Sequence, residues 1–369
     1  MTLKPEPTNF PTIQALRAIA ALSVCWVHFT QWTGPDGITR FPDWLRFSGA
    51  YGWLGVEAFF VISGFIVPYS LIRGGYRIND FFVFLWKRIV RVDPPYIVSM
   101  AVAIILAVLA SRSSIYKGAQ PHFSIAQIAF HFGYLIPFVQ SRGYDWVNQS
   151  FWTLGIEFQF YVALAFLFPL IASKTQSVRF SSFLLLCGVP FIPLGPLIQG
   201  PSFLPHYTPL FLMGIAGMLR KVGVSTRKEF WLTTILAVVS SFASMDERGL
   251  PETIVGVVTL VCILNMKSAP IVMLLIGDIS YSLYVIHQPI GGRVVNLGVR
   301  FVPHFFSSIV PFVAVFIVLI AAYLMYTFVE LPAKRWAARF RYAPISSDPG
   351  MPAEKNVGHV TNMGFKKAE

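Results

Sequence analysis

Charge is what this chain has least of. Only 12% of its 369 residues are Asp, Glu, Lys or Arg, about half of the ~25% that soluble globular domains carry. With 55% hydrophobic residues and a mean hydropathy of +0.62, this scarcity excludes a water-soluble globule and points to an integral membrane protein. Cysteine is scarce too. Cys25, Cys187 and Cys262 all lie in apolar runs without metal-ligand spacing. That excludes a disulfide framework or a thiolate metal centre and leaves them as packing residues. No internal repeat of solenoid period occurs, and no second segment is large enough to bury a soluble core of its own. Acidic residues number 17 against 29 basic, a net charge of +12. Nothing interleaves the basic excess into a nucleic-acid surface, so no nucleic-acid partner is expected.

Apolar stretches are plentiful. They fall at about 13–31, 51–72, 94–110, 152–172, 180–199, 205–220, 229–244, 252–267, 270–290 and 307–329, long enough or nearly long enough to span a bilayer. The chain is therefore expected to be an all-α polytopic membrane protein of about ten transmembrane helices, with the lipid bilayer as its first partner. The leading MTLKPEPTNFP is polar and Pro-rich, with no small-residue cleavage site after the first apolar run, so that run is expected to be a retained helix. With a cytoplasmic N-terminus, 20 of the 29 Lys and Arg residues fall inside and 8 outside, Arg17 being intramembrane. The positive-inside rule then places both termini in the cytoplasm. The long outer connection, about 111–151, carries FSIAQIAFHFGYLIPF, read as an interfacial or re-entrant piece. Residues 1–343 form one membrane domain, and 344–369 read as a disordered cytoplasmic tail.

Several polar groups interrupt the apolar runs. Arg17 and His28 stand eleven residues apart in the first stretch, about three helical turns and roughly 16 Å along one face. Ionisable groups inside a span are functional candidates. A neutral imidazole can act as a general base, although it can also serve structurally, and Arg17 can snorkel to headgroups. Glu57 sits among aromatics in GVEAFFVISGF, where a structural ion pair is the competing reading; Gly64 is read as a helix-packing residue. Lys87, Arg88 and Arg91 lie in LWKRIVRVDPPY, under a helix whose start Pro94 and Pro95 are expected to fix. Arg88 and Arg91 share a face and suit phosphate binding, although positive-inside charge alone can explain such a cluster. In SFWTLGIEFQFYVALAF, Trp152 opens the span, and Thr153, Glu157 and Tyr161 recur on one stripe. Ser280, Tyr284 and His287 share a face of the ninth stretch, beside Asp278 and Tyr281. Glu330 reads equally as an interfacial residue or a ligand. No residues have the pattern of a metal site.

Five stretches in this order, IQALRAIAALSVCWVHF, GVEAFFVISGF, KRIVRVDPPY, SFWTLGIEFQFY and ISYSLYVIHQP, resemble the membrane acyltransferase-3 family of transmembrane O-acyltransferases. They extend over about the first 290 residues. Where the family pattern often has Gly and Asp, this chain has Ala18 and Glu57; neither change removes a group the chemistry needs. The resemblance implies functional roles for Arg17 and His28 and a double-Arg motif at Arg88 and Arg91. It further implies a cytoplasmic acyl-CoA co-substrate, most simply acetyl-CoA, with no permanently bound cofactor, and a hydroxyl acceptor on a surface or lipid-linked saccharide. The location it implies is the bacterial inner membrane. Some relatives carry a further soluble domain, for which this sequence shows no counterpart. From the residues alone, a proton-coupled secondary transporter using Arg17, His28, Glu57 and Glu157 as a relay is the alternative.

Overall fold

A computed structural model of the chain describes residues 10–31, 41–114, 116, 120–193, 202–244 and 248–342; the tail expected over 344–369 lies outside them. Among the described residues every regular element is helical. In chain order these are α1 (Pro11–Thr30), α2 (Asp43–Gly49), α3 (Gly55–Gly74), α4 (Phe81–Ser111), α5 (Ile125–Phe132), α6 (Ile136–Val139), α7 (Trp152–Ile171) and α8 (Gln176–Gly188). The second half adds α9 (Leu204–Lys221), α10 (Arg227–Ser244), α11 (Gly249–Asn265), α12 (Ile271–Asp278), α13 (Ser280–Ile286), α14 (Gly292–Phe301), α15 (Val310–Met325) and α16 (Leu331–Ala337). Five helical segments are long and apolar enough to cross a bilayer, or six if α12 and the bent helix after it count as one span. Phe82, Phe166, Phe305, Phe316 and Phe328 are exposed on the outside, as lipid-facing surfaces require.

The middle of the bundle is α9, buried without interruption from Tyr207 to Leu219. It is held closely against α3 because both helices place glycine at the crossing. A Cβ on Gly64 would run into the Phe211 carbonyl, and one on Gly214 into the carbonyl of Val61. Backbone proximity of this kind replaces the hydrophobic drive that lipid cannot supply. Phe60 and Phe160 then pack on Phe211 at 4.9 and 4.0 Å between ring centroids. Cys25 and Cys187 are free, buried members of the core, and Cys262 is free and partly exposed.

Two expectations need correction. The third span does not start at Pro94–Pro95: α4 is a single 31-residue helix with both prolines inside it. Proline removes a main-chain donor and crowds the preceding turn, which membrane helices tolerate where neighbours satisfy the disturbed carbonyls. The carbonyls that lose their helical donor are those of Val90 and Arg91, four residues before each proline; beside them the Tyr281 hydroxyl donates to the Val92 carbonyl at 2.7 Å and ties α13 to α4. Lys87, Arg88 and Arg91 therefore project from within a helix rather than from a loop beneath it. The ninth stretch is likewise not one helix. It breaks at Ile279 and bends by 57°, because Gly277 sits against the Gln14 main chain, where a Cβ would meet the Gln14 carbonyl. Ser280 Oγ donates to the Gly277 carbonyl at 2.7 Å and the Gln14 amide to Asp278 at 2.8 Å, fixing the bend. A π-helical turn, His287–Gly291, follows.

Among its described residues the connection after α4 holds the short α5 and α6 and two 3₁₀ turns, Gln140–Arg142 and Gln149–Phe151. It is tied to the bundle through buried His131. The Val147 N–H donates to Nε2 at 3.1 Å, so the Nδ1–H faces the Tyr96 hydroxyl at 2.7 Å. Near the opposite end, Arg179 at the start of α8 makes a two-pronged ion pair with Glu229 of α10, 2.7 Å on each prong, and caps the Ser173 carbonyl after α7 at 2.5 Å. Both side chains are almost fully buried. Removing one partner of such a pair typically costs about 3–5 kcal/mol, so Arg179→Ala is expected to lower the melting temperature in detergent markedly. The double change Arg179→Met with Glu229→Leu should recover most of the loss. Equal melting of Arg179→Ala and wild type would contradict this role.

Candidate active site

Helices α1, α3, α4, α7 and α13 converge on a cavity of about 1070 Å³, open mouth included. Arg17, Arg88, Arg91, Glu157, Tyr161, Ser280, Tyr281 and Tyr284 all line it; the sequence had singled out each of them separately. Arg17 Nε donates to Ser280 Oγ at 3.1 Å. Arg88 Nη2 donates to Ser70 Oγ at 2.8 Å, and its guanidinium lies 5.2 Å from the ring centres of both Phe84 and Tyr161, within cation–π range. Arg91 has no hydrogen-bond or ion-pair partner among the described residues. At the mouth, Lys87 and Lys334 join Arg88 and Arg91, with Lys87 Nζ 4.7 Å from the centre of the Tyr342 ring.

The carboxylates here are already engaged. Glu157 accepts from Ser63 at 3.2 Å and from the Tyr161 hydroxyl. Glu330 is buried, accepts from the Ser282 main chain and hydroxyl at 3.2 and 2.6 Å, and pairs with Lys334 at 2.7 Å. It is thus an internal anchor between the last helical segment and α13, not an interfacial residue. Cations outnumber acids, and the guanidinium groups of Arg17 and Arg91 are left without carboxylate partners among the described residues. Planar, undissociating guanidinium groups from two helices form an anion site suited to phosphate or carboxylate.

A second chamber lies further along α1, also of about 1070 Å³ with its mouth, lined by His28, Glu57 and Trp152 together with Gln149, Ser150 and Glu252. His28 is exposed into it. The Gln288 side-chain nitrogen sits 3.1 and 3.3 Å from the two imidazole nitrogens. Its orientation is fixed at the other end, where Oε1 accepts the Ser150 main-chain N–H at 3.1 Å. Only a neutral imidazole has a lone pair for the Gln288 N–H. His287 lies behind, fully buried, with its ring 5.2 Å from that of His28. Its Nδ1 is 2.6 Å from the Tyr284 carbonyl and must carry the hydrogen, which leaves Nε2 to accept from Ser150 Oγ at 3.4 Å. His287 lines neither of these two chambers. The π-helical turn gives His287 and Gln288 these two different directions, a use of π geometry common at functional sites. Gln288 is thus the residue that orients the imidazole, and neither Glu57 nor Glu157 is among the partners of His28.

The two chambers meet at Val56 and Tyr284, which line both. The Tyr284 hydroxyl is 2.7 Å from Thr153 Oγ1 and its ring stands edge-on to Phe59, centroids 5.7 Å apart. Arg17 and His28, on one face of α1, thus line two adjoining chambers with Val56 and Tyr284 between them. Among the described residues no cluster of His, Cys, Asp or Glu is placed to hold a metal ion. Gln288, Ser150, Arg248, Glu252 and Lys334 were not identified from the sequence. Gln288 adjoins the His287 that was. Glu252, in the first turn of α11, carried no signal, since acids are commonplace there.

Comparison with known proteins bears on the same residues. The acyltransferase-3 family model, described as an acyltransferase domain, matches residues 10–246. Among curated proteins the chain is similar to O-acetyltransferase OatA of Staphylococcus aureus. In strains NCTC 8325 / PS 47, COL and MRSA252 that protein is 27% identical over 175 residues, 45% of this chain and 25% of the relative. The match therefore spans about a quarter of those relatives' length. No solved structure matches.

The contrast between exposed His28 and buried His287 and His131 gives a direct chemical prediction. Brief treatment of the folded protein with diethyl pyrocarbonate should modify His28 and spare the other two, as read by peptide mass mapping. Equal labelling of His287 would contradict the chamber assignment.

Proposed function

The chain belongs to the acyltransferase-3 family, and we propose that it is a multi-pass O-acyltransferase of the bacterial plasma membrane. In this reading an acyl group, acetyl in the simplest case, moves from cytoplasmic acyl-CoA to a hydroxyl of a surface or lipid-linked saccharide. The observation that carries the proposal is the pair of chambers adjoining at Val56 and Tyr284, cations in one and an accessible imidazole in the other. Ten spans with both termini cytoplasmic, as the Lys and Arg distribution suggests, would put the Arg88 mouth on the side where CoA is made. OatA, by its name an O-acetyltransferase, supports the reaction type. Family membership favours group transfer over the transporter alternative.

The chain's own groups divide the work as follows. Lys87, Arg88, Arg91 and Lys334 at the mouth take the phosphates of CoA, and Arg17, in the same cavity, reaches the remaining phosphate or the pantetheine. The thioester then extends past Val56 and Tyr284 toward His28. The acceptor hydroxyl displaces the Gln288 N–H from the imidazole lone pair, and His28 removes its proton as the oxygen attacks the thioester carbonyl carbon. The new C–O bond forms, the C–S bond breaks, and the imidazolium returns the proton to the departing CoA thiolate. A covalent acyl-imidazole on His28 would be a second route to the same products.

General-base removal typically costs a factor of about 10²–10⁴, so His28→Ala is expected to lower transfer from acetyl-CoA in proteoliposomes by at least that range while the protein still folds and inserts. Wild-type turnover by this variant would overturn the assignment. Arg88→Ala should chiefly raise the apparent KM for the CoA donor; an effect confined to the acceptor would contradict the phosphate role.

A further inference from the structure

Two carboxylates in the histidine chamber take no part in the mechanism above. Glu57, in the first turn of α3, and Glu252, in the first turn of α11, are each 3% exposed. Both line the chamber, and the Oε2 atom of each is buried without a hydrogen-bond partner. No ion pair among the described residues neutralises either. Arg248 reaches the same chamber, but at its exposed rim, where its guanidinium lies 5.5 Å from the centre of the Trp53 ring. Unpartnered carboxylate oxygens at this depth are costly and are complementary to a ligand rich in O–H donors.

The walls narrow the chemistry further. Trp152 and Tyr207 stand 5.8 Å apart, ring planes 37° from parallel, and Trp53 lines the same space. Aromatic faces beside a few convergent acceptors suit a ring that is polar at its edge and apolar on its C–H faces. Charge excludes an anionic variant of such a ring: two buried acidic groups against one exposed rim guanidinium leave no positive excess to hold it.

Resting on the acyltransferase reading, we propose that Glu57 and Glu252 form the acceptor subsite. The acceptor is then a hydroxyl-rich sugar ring without acidic groups, two of whose hydroxyl groups donate to these carboxylates while a neighbouring hydroxyl faces His28. Glu252 lies outside the residues the family model matches, so its half of the subsite is not part of the family pattern.

Saturation-transfer NMR on the full chain in lipid nanodiscs tests this with three soluble probes of equal length: N,N′-diacetylchitobiose (neutral), digalacturonate (anionic) and chitobiose (cationic). Saturation should reach the neutral and cationic probes and spare the anionic one. Glu57→Gln and Glu252→Gln should each weaken the neutral probe's apparent affinity by about tenfold, and Glu57→Asp, which keeps the charge, should weaken it less than Glu57→Gln. The proposal is overturned if no probe binds, if the anionic probe binds as well as the neutral one, or if both Gln variants stay within about twofold of wild type. The measurement reads binding and not turnover. Probe binding by a protein that consumes no acetyl-CoA would sustain the subsite and remove the acyltransferase reading; acetyl-CoA consumption without probe binding would do the reverse.

Discussion

The fold depends on keeping guanidinium groups solvated inside a bundle that faces hydrocarbon. Arg17, Arg88 and Arg91 lie in helices whose outer surfaces are apolar, and a cation there is expensive unless a polar cavity or a partner receives it. The structure meets this requirement with a cavity. Ser280 and Ser70 hydroxyls accept from Arg17 and Arg88, aromatic faces of Phe84 and Tyr161 flank Arg88, and Arg91 opens into the shared space. Much of the surrounding architecture follows. The bend at Ile279 brings Ser280 to Arg17, and the Tyr281 hydroxyl ties α13 to α4 at the Val92 carbonyl, next to the two prolines. Glu330 locks α13 to the last helical segment, and Gly64 with Gly214 brings α3 and α9 close enough to close the wall.

One helix, α1, serves both chambers. Tyr284 and Val56 border both spaces, and the Tyr284–Thr153 contact stiffens the boundary. In the proposed reaction the long, thin pantetheine arm crosses this boundary while the charged head of the donor stays at the cation-lined mouth. The histidine on the far side is presented by a small polar assembly in which the Ser150 main chain orients Gln288, and Gln288 in turn contacts His28. His287, despite its place in the same motif, works as part of the scaffold.

Much of this was legible in the sequence. The eleven-residue spacing of Arg17 and His28 in an otherwise apolar run announced a polar face, because helical periodicity and the cost of intramembrane charge both act locally. The Thr153, Glu157, Tyr161 stripe was readable for the same reason. What escaped was decided by tertiary contact. The proline pair reads as a helix start when α4 is considered alone, whereas the helix, packed against α7, α13 and α16, runs on through it. The break at Ile279 depends on how closely Gly277 approaches Gln14, 263 residues away in sequence. Gln288 gained its role from a π turn that periodicity of 3.6 cannot foresee, and Glu252 looked like any acid at a helix start. Length was a poor guide in the second half: α9 to α11 are 17 or 18 residues long, and α9 is enclosed by protein.

The central claim is that donor and acceptor meet from opposite ends of one passage. The most direct measurement uses sealed proteoliposomes with labelled acetyl-CoA supplied only outside and a neutral disaccharide acceptor trapped only inside. Acylated disaccharide should accumulate in the lumen, with none in protein-free vesicles. Product formed only when donor and acceptor share a compartment would contradict the passage and, with it, this account of the fold.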